Sequence, residues 1–200
     1  MNPVDRIVLI DKDIKRRASV SHSLSNENFH VEPFENVQEL CNRWPKAGIL
    51  LAHDDLDSVR SLVDYMARAG HWIPLIAYHD HPSTSRIVEA VLEGATNYLL
   101  WPFDAQQVSE AISTAKATHD ALGPYRLREA NARSRIQRLT PREKEVLAGV
   151  TSGLSNRLIG ERLSICPRTV EIHRANMLNK LGARHTSEAI RVAIESALVN

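Results

Sequence analysis

The chain has 200 residues, 43% of them hydrophobic and 24% charged, with a formal net charge of +1. That length accommodates one large or two small domains, and the balance is that of a globular protein rather than a disordered, collagenous or disulfide-framed chain. The near-zero net charge hides an asymmetry: residues 1–120 carry 11 Lys/Arg against 17 Asp/Glu (−6), residues 121–138 carry 5 against 1 (+4), and residues 139–200 carry 9 against 6 (+3). An acidic half joined to a basic half fits a regulatory domain attached to a nucleic-acid-binding one.

At the N-terminus, acidic Asp5 before a short strand-like run predicts the absence of a signal peptide, and no apolar run reaches the ~20 residues of a membrane span. Strand-like and helix-like segments then alternate. Ile7–Ile10, His30–Glu32, Ile49–Ala52, Leu75–Tyr78 and Tyr98–Leu100 read as strands, with helices near 14–27, 36–43, 58–69 and 83–93. Asp104-Ala105-Gln106-Gln107 opens a fifth helix with an Asp cap and Gln at the fourth place. Five βα units with apolar strands predict an α/β class: a doubly wound, flavodoxin-like five-stranded parallel sheet covered on both faces. The ligand site of such a sheet lies beyond the carboxyl ends of its strands, where Asp11, Asp13, His53, Asp54, His79 and Trp101 fall. Cys41 and Cys166 are far apart and without metal spacing, as expected for free thiols in a reducing cytoplasm.

Residues 121–138 are expected to form a helical linker, whose basic residues either add phosphate contacts or make up a solvated face. Residues 139–200 read as a small all-α domain. Thr140-Pro141-Arg142-Glu143 is a capping box with Pro at the first helical position, opening a helix to about Ser152 with Val146, Leu147 and Val150 on one side. Gly153 ends it. A second helix, about Asn156 to Leu163, is expected to pack Leu158, Ile159 and Leu163 inward. Ser164-Ile165-Cys166 makes a turn, and Pro167 starts a third helix that Gly182 stops.

At about 100° per residue, Val170, Met177, Leu178 and Leu181 of this third helix share one stripe. Arg168, Thr169, Ile172, Ala175, Asn176 and Asn179 share the opposite one, which has no acidic residue and suits phosphates or base edges. Glu171 sits at its margin. His173 and Lys180 flank it within reach of phosphates, and Arg174, nearer the inner stripe, would have to snorkel outward. An amphipathic helix with a solvated face is the plain alternative. The three helices, the tight turn and the basic flanks together favour a helix-turn-helix that binds double-stranded DNA.

Ser164 to Ala183, with CPRTVEIHRANMLNKLGA at its heart, resembles the LuxR-type helix-turn-helix of FixJ/NarL response regulators. The resemblance implies that Glu171, Ile172 and Ala175 face bases, while Thr169, His173, Asn176 and Lys180 hold phosphates. One departure is Cys166, where the family usually has a capping Ser. A thiol is a weaker acceptor, so weaker capping is expected.

Residues 5–120 resemble the receiver domain of the same family, through element spacing and the Gly94-Ala95 and Trp101-Pro102-Phe103 landmarks. A working receiver needs an acidic pair for Mg²⁺, an Asp nucleophile ending the third strand, a Ser/Thr after the fourth and a Lys after the fifth. Here the pair reads Asp11-Lys12, the acceptor His53, the hydroxyl position His79 and the Lys position Trp101. The following loop, HDDLDSVRS, is shorter than usual and lacks its customary Pro and Gly. Lys12 is expected to place a cation beside the metal site, and Trp101 to fill the pocket. Asp54 could accept phosphate only if the strand slipped by one residue, which strand alternation opposes.

These residues predict a non-enzymatic cytoplasmic transcriptional regulator: a homodimer with a degenerate phosphorylation pocket, no cofactor, no membrane association, and a partner protein or ligand as input to the receiver-like domain. Two alternatives stand beside it: a conventional phosphorelay regulator phosphorylated at Asp54, and a module that sequesters another regulator. Asp11, Asp13, His53, Asp54, His79 and His81 could also gather into a transition-metal site or a pH sensor, although no close spacing such as HxxxH points to one. Otherwise these histidines fill vacated space or sit in water.

Overall fold

The computed structural model describes residues 6–197 apart from Asn28 and Leu56. Asp5, on which the leader argument turned, lies outside the described residues. The chain divides into two compact units, Met1–Leu127 and Arg128–Asn200.

The first unit contains β1 (Arg6–Ile10), α1 (Ile14–Asn26), β2 (His30–Phe34), α2 (Val37–Cys41), β3 (Ile49–His53), α3 (Ser58–Ala69), β4 (Leu75–His79), α4 (Thr84–Glu93) and β5 (Asn97–Leu100). Helix α5 begins at Ala105 and is continuous to Gln137. All strand pairs are parallel, in the order β2-β1-β3-β4-β5. This is the doubly wound flavodoxin-like order. The register sets Ile10 beside Ala52 and His53 beside Tyr78. Ile7 and Leu9 of β1, Ile49 and Leu51 of β3, and Ile76 and Tyr78 of β4 form one buried layer with Val20 and Leu24 of α1 and Val108, Ala111, Ile112 and Ala115 of α5. Strand alternation turns the intervening residues to the other face.

The helices start where polar caps satisfy free amides. Asp13 caps α1, Asn36 caps α2 and Ser83 caps α4. Asp104 and Gln107 exchange reciprocal bonds at the start of α5. Helix α2 is shorter than its predicted 36–43 span and gives way to a turn after Cys41. Strand β2 extends beyond its predicted end through Pro33, which an edge strand tolerates. Gly94 has a positive φ of 136°, and a Cβ there would come within 2.8 Å of Val63 Cγ2. That double constraint explains the Gly94-Ala95 landmark.

The second unit comprises the last turns of α5, then α6 (Pro141–Thr151), α7 (Asn156–Leu163), α8 (Pro167–Leu181) and α9 (Thr186–Ala197). Its core joins Ala132, Leu139, Val146, Leu147, Val150, Ile159, Val170, Met177, Leu181, Ala189 and Val192. The Thr140–Glu143 capping box is present, and Gly153 and Gly182 adopt left-handed backbone at the ends of α6 and α8. Ser164 also adopts it, at φ 56°. One core expectation fails. Leu158 is 42% exposed, and α7 instead buries Ile159 and Gly160. A Cβ on Gly160 would lie 2.6 Å from the Ile165 carbonyl oxygen, so the helix presents its smallest residue to the turn and rotates Leu158 outward. No helix among the described residues is long and apolar enough to cross a membrane.

Candidate functional site

At the carboxyl ends of β1, β3 and β4, Asp11 is buried and fully engaged. Its Oδ2 accepts from Arg16 Nε at 2.6 Å and from the Tyr78 hydroxyl at 2.6 Å. Its Oδ1 accepts from Arg16 Nη2 at 2.9 Å and from the Asp13 amide at 2.8 Å. Such bidentate guanidinium–carboxylate pairing is strong and geometrically specific. Burial, then the hydrogen bond to Asp11, pushes the Tyr78 hydroxyl far above its ordinary pKa, so it remains a donor. No Asp11 oxygen is left without a partner for a hard cation.

The cation beside Asp11 is therefore Arg16, and the expectation for Lys12 is corrected. Lys12 is 68% exposed and pairs with Asp55, a loop residue that also accepts from Ser58 at the start of α3. Consecutive residues at a strand end diverge, which sends Lys12 away from the Asp11 carboxylate. Asp13 is likewise occupied, as the α1 cap. Trp101 packs against the core edge-on to Phe103, with centroids 5.0 Å apart, and Phe103 in turn meets Tyr78. Guanidinium and phenol are the side-chain groups bonded to the Asp11 carboxylate.

His53 is nearly buried at the end of β3. Burial, reinforced by the Arg16 charge, lowers its pKa and keeps the ring neutral. Its ring stacks on His79 at 4.8 Å and 26°, and its Nε2 is buried without a hydrogen-bond partner. His79 Nδ1 accepts from the His81 amide at 2.9 Å and lies 3.1 Å from Asp80 Oδ1. The ligand atoms of His53, His79 and Asp80 all lie within 4.8 Å of one another, the one such cluster of metal-ligating side chains among the described residues.

Asp54 belongs to a different constellation. Its buried carboxylate accepts from Arg86 Nε and Nη2, both at 2.7 Å, and from the Tyr98 hydroxyl at 3.0 Å. Arg86 also reaches Glu93 at 2.9 Å. Asp54 and Asp11 share no partner, as alternation along β3 requires.

Sequence reading missed Arg16, Tyr78, Asp80, Arg86 and Tyr98. Tyr78 and Tyr98 carried a signal, as hydroxyl-tipped residues in otherwise aliphatic strands. Arg16 sits in the Lys15-Arg16-Arg17 run, where nothing marks which cation turns inward.

In the second unit, α8 exposes Arg168, Ile172, Ala175, Asn176 and Asn179, with Ile172 54% exposed. Val170, Met177 and Leu181 are buried, as the helical wheel requires. Thr169 and His173 are half-buried. Glu171 is exposed and bonds Arg168 at 3.2 Å. Cys166 makes no capping bond to a backbone amide, and its thiol instead meets the Thr169 hydroxyl at 3.1 Å.

Two basic residues are less available than their positions suggested. Arg174 does not snorkel outward: it donates to Asn156 Oδ1 at 2.9 Å and Thr186 Oγ1 at 2.7 Å, tying α8 to the starts of α7 and α9. Lys180 Nζ donates to the buried Glu143 at 2.8 Å. Burial would raise the Glu143 pKa, but bonds from Lys180 and from the Thr140 amide outweigh it and hold the carboxyl below its ordinary range. On α9, Ala189, Ile190 and Ala193 serve the core, leaving Ile194 exposed.

Residues 137–193 match the family described as bacterial regulatory proteins, luxR family. The transcriptional regulatory protein FixJ of Rhizobium meliloti is 31% identical over 195 residues, covering 93% of each chain. FixJ of Bradyrhizobium diazoefficiens is 28% identical over 205 residues, covering all of both chains. The crystal structure of full-length FixJ from B. japonicum superposes with a TM-score of 0.51 at 27% identity, covering 98% of each chain. A five-stranded parallel receiver fold, a LuxR-type helical unit and end-to-end similarity of sequence together establish that this chain belongs to the FixJ-type family of response-regulator transcription factors.

Proposed function

We propose that the protein is a sequence-specific DNA-binding regulator whose receiver-like domain signals without aspartyl phosphorylation. The carrying observation is the Asp11 carboxylate. With His53 at the acceptor position and Lys12 in place of the second acid, Mg²⁺ would find too few oxygen ligands, and those of Asp11 are bonded to Arg16, Tyr78 and Asp13. The Asp54 carboxylate, the remaining acceptor candidate, is buried and clamped by Arg86 and Tyr98. Residues 1–120 are the regulatory part of this reading, 121–138 the linker and 139–200 the DNA-binding part, with a partner protein or ligand as input. Incubation of the full chain with acetyl phosphate and Mg²⁺ should add no phosphoryl mass and leave DNA affinity unchanged. A gain of one phosphoryl group that disappears in Asp54→Asn would overturn the reading in favour of a conventional phosphorelay protein.

DNA contact is assigned to Arg168, Thr169, Glu171, Ile172, His173, Ala175, Asn176 and Lys180. Ile172→Ala should shift preference among binding sites, because an exposed apolar side chain reads base edges rather than charge. Arg168→Ala should weaken binding to all sequences and reduce the salt slope by about one, as for a lost phosphate contact. Lys180→Ala should weaken binding too, but also lower stability by about 1–3 kcal/mol, since Glu143 stays buried without its cation. Footprints and salt titrations unchanged in Ile172→Ala and Arg168→Ala would reject this placement of α8 on DNA.

The regulator is proposed to act as a homodimer without a phosphodonor, since two-fold operators reward two-fold proteins. The family pairs its receivers through the region that corresponds to 83–94 and 98–122. Support comes from Val88, Val91 and Leu92 on α4, with Leu100 and Leu122, large apolar side chains left exposed within that region. Ile194 offers a smaller contact on α9. Light scattering at micromolar concentration that finds only monomer, with and without DNA, would defeat this.

A further inference from the structure

We propose that His53, His79 and Asp80 form a binding site for a transition-metal cation of the Zn²⁺ class. Two imidazoles and one carboxylate are a ligand set for Zn²⁺, Ni²⁺ or Cu²⁺, and too nitrogen-rich for Mg²⁺ or Ca²⁺. The set is spread over the ends of β3 and β4, which explains why no short sequence spacing betrayed it. Asp80 Oδ1 is 3.1 Å from His79 Nδ1 and 4.0 Å from His53 Nε2. Tetrahedral bonds to Zn²⁺ of about 2.0–2.1 Å place neighbouring ligand atoms about 3.4 Å apart. The three atoms, all within 4.8 Å of one another, therefore need only side-chain adjustment to converge.

The strongest pointer is His53 Nε2. A buried polar atom with no hydrogen-bond partner carries a desolvation cost, and such an atom in a folded protein calls for a water or an ion. His79 Nδ1 is occupied by the His81 amide, a bond the cation must displace. The two rings are stacked 26° from parallel, so their in-plane nitrogen lone pairs converge on one ion only after the His79 and Asp80 side chains turn toward His53. The local charge permits a cation. Arg16 is neutralised by Asp11 and Lys12 by Asp55, leaving Asp80 as the carboxylate facing the histidines. Asp80 and His79 are part-exposed, so water can reach the ion and complete its coordination.

The site would supply a ligand input at the vacated phosphorylation pocket, and its signalling role rests on the phosphate-independent reading; binding itself does not. The test is calorimetric titration of chelator-treated full-length protein with Zn²⁺ near neutral pH, with Co²⁺ visible spectroscopy as the report on geometry. One ion per chain and a Co²⁺ d–d spectrum are expected. His79→Ala and Asp80→Asn, both at part-exposed positions, should each weaken Zn²⁺ by about tenfold or more, with circular dichroism confirming the fold. His22→Ala, on the surface of α1, should leave binding unchanged. Affinity that survives both site substitutions, or no binding up to millimolar Zn²⁺, overturns the proposal. Phosphoryl transfer from acetyl phosphate with metal binding intact would instead overturn the phosphate-independent reading and leave the site standing.

Discussion

Arg86→Ala is expected to destabilise the first unit by about 3–5 kcal/mol, the cost of removing one partner from a buried ion pair. Asp54 has no exposed side-chain surface, and Arg86 supplies two of its three side-chain hydrogen bonds. Without the guanidinium, only the Tyr98 hydroxyl would remain to oppose a buried negative charge. The bonds to Asp54 and Glu93 raise the Arg86 pKa further, against the effect of burial, so the guanidinium stays charged. Domains have total stabilities of about 5–15 kcal/mol, so this one substitution removes a large fraction. Urea denaturation of the full chain, followed by a probe in the sheet, checks it. Asp54→Asn should cost less, because an amide still accepts from Tyr98 while Arg86 keeps Glu93. A loss below about 1 kcal/mol in Arg86→Ala would mean that the clamp does not form in solution.

Gly160→Ala is expected to have the largest effect in the DNA-binding unit, about 3 kcal/mol, at the upper end of overpacking costs. The added methyl would meet the Ile165 carbonyl oxygen at 2.6 Å, with Pro167 N at 3.5 Å. These are backbone atoms of the turn that delivers α8, and they cannot rotate aside as a side chain would. Ala is the better helix former by about 1 kcal/mol, so propensity alone predicts stabilisation. The clash wins because relieving it separates α7 from α8. Thermal unfolding should show the loss, and DNA affinity should fall with it even though Gly160 lies outside the assigned contacts. Stability equal to or above that of the parent protein would refute the close approach.

Much of the architecture was legible because its causes are local. The alternation of short β-branched and aliphatic runs with capped helices marked every strand and helix of the first unit. The Thr140–Glu143 box, Pro167 and Gly182 fixed the boundaries of α6 and α8. What stayed hidden depends on pairing across the chain. Arg16 and Arg17 are neighbours in one basic run, and only packing shows which guanidinium reaches the Asp11 carboxylate. Leu158 and Gly160 share a short helix, and the hydrophobic pattern favoured the leucine where steric access required the glycine. Lys180 read as a free cation because its partner, Glu143, lies 37 residues away, already counted as a cap. Tyr98 and Arg86 belong to different elements and meet only at Asp54. The position of Asp54 itself was readable, since two-residue periodicity along β3 separates it from His53.

The Arg16–Asp11 pair has a thermodynamic consequence. A divalent ion beside a carboxylate contributes stability that grows with its free concentration and vanishes under chelation. A guanidinium tethered by its own backbone has no such dependence; its effective concentration is set by the fold of α1. The cation that balances Asp11 is thus one that neither dilution nor chelation removes, because it is carried by the chain itself.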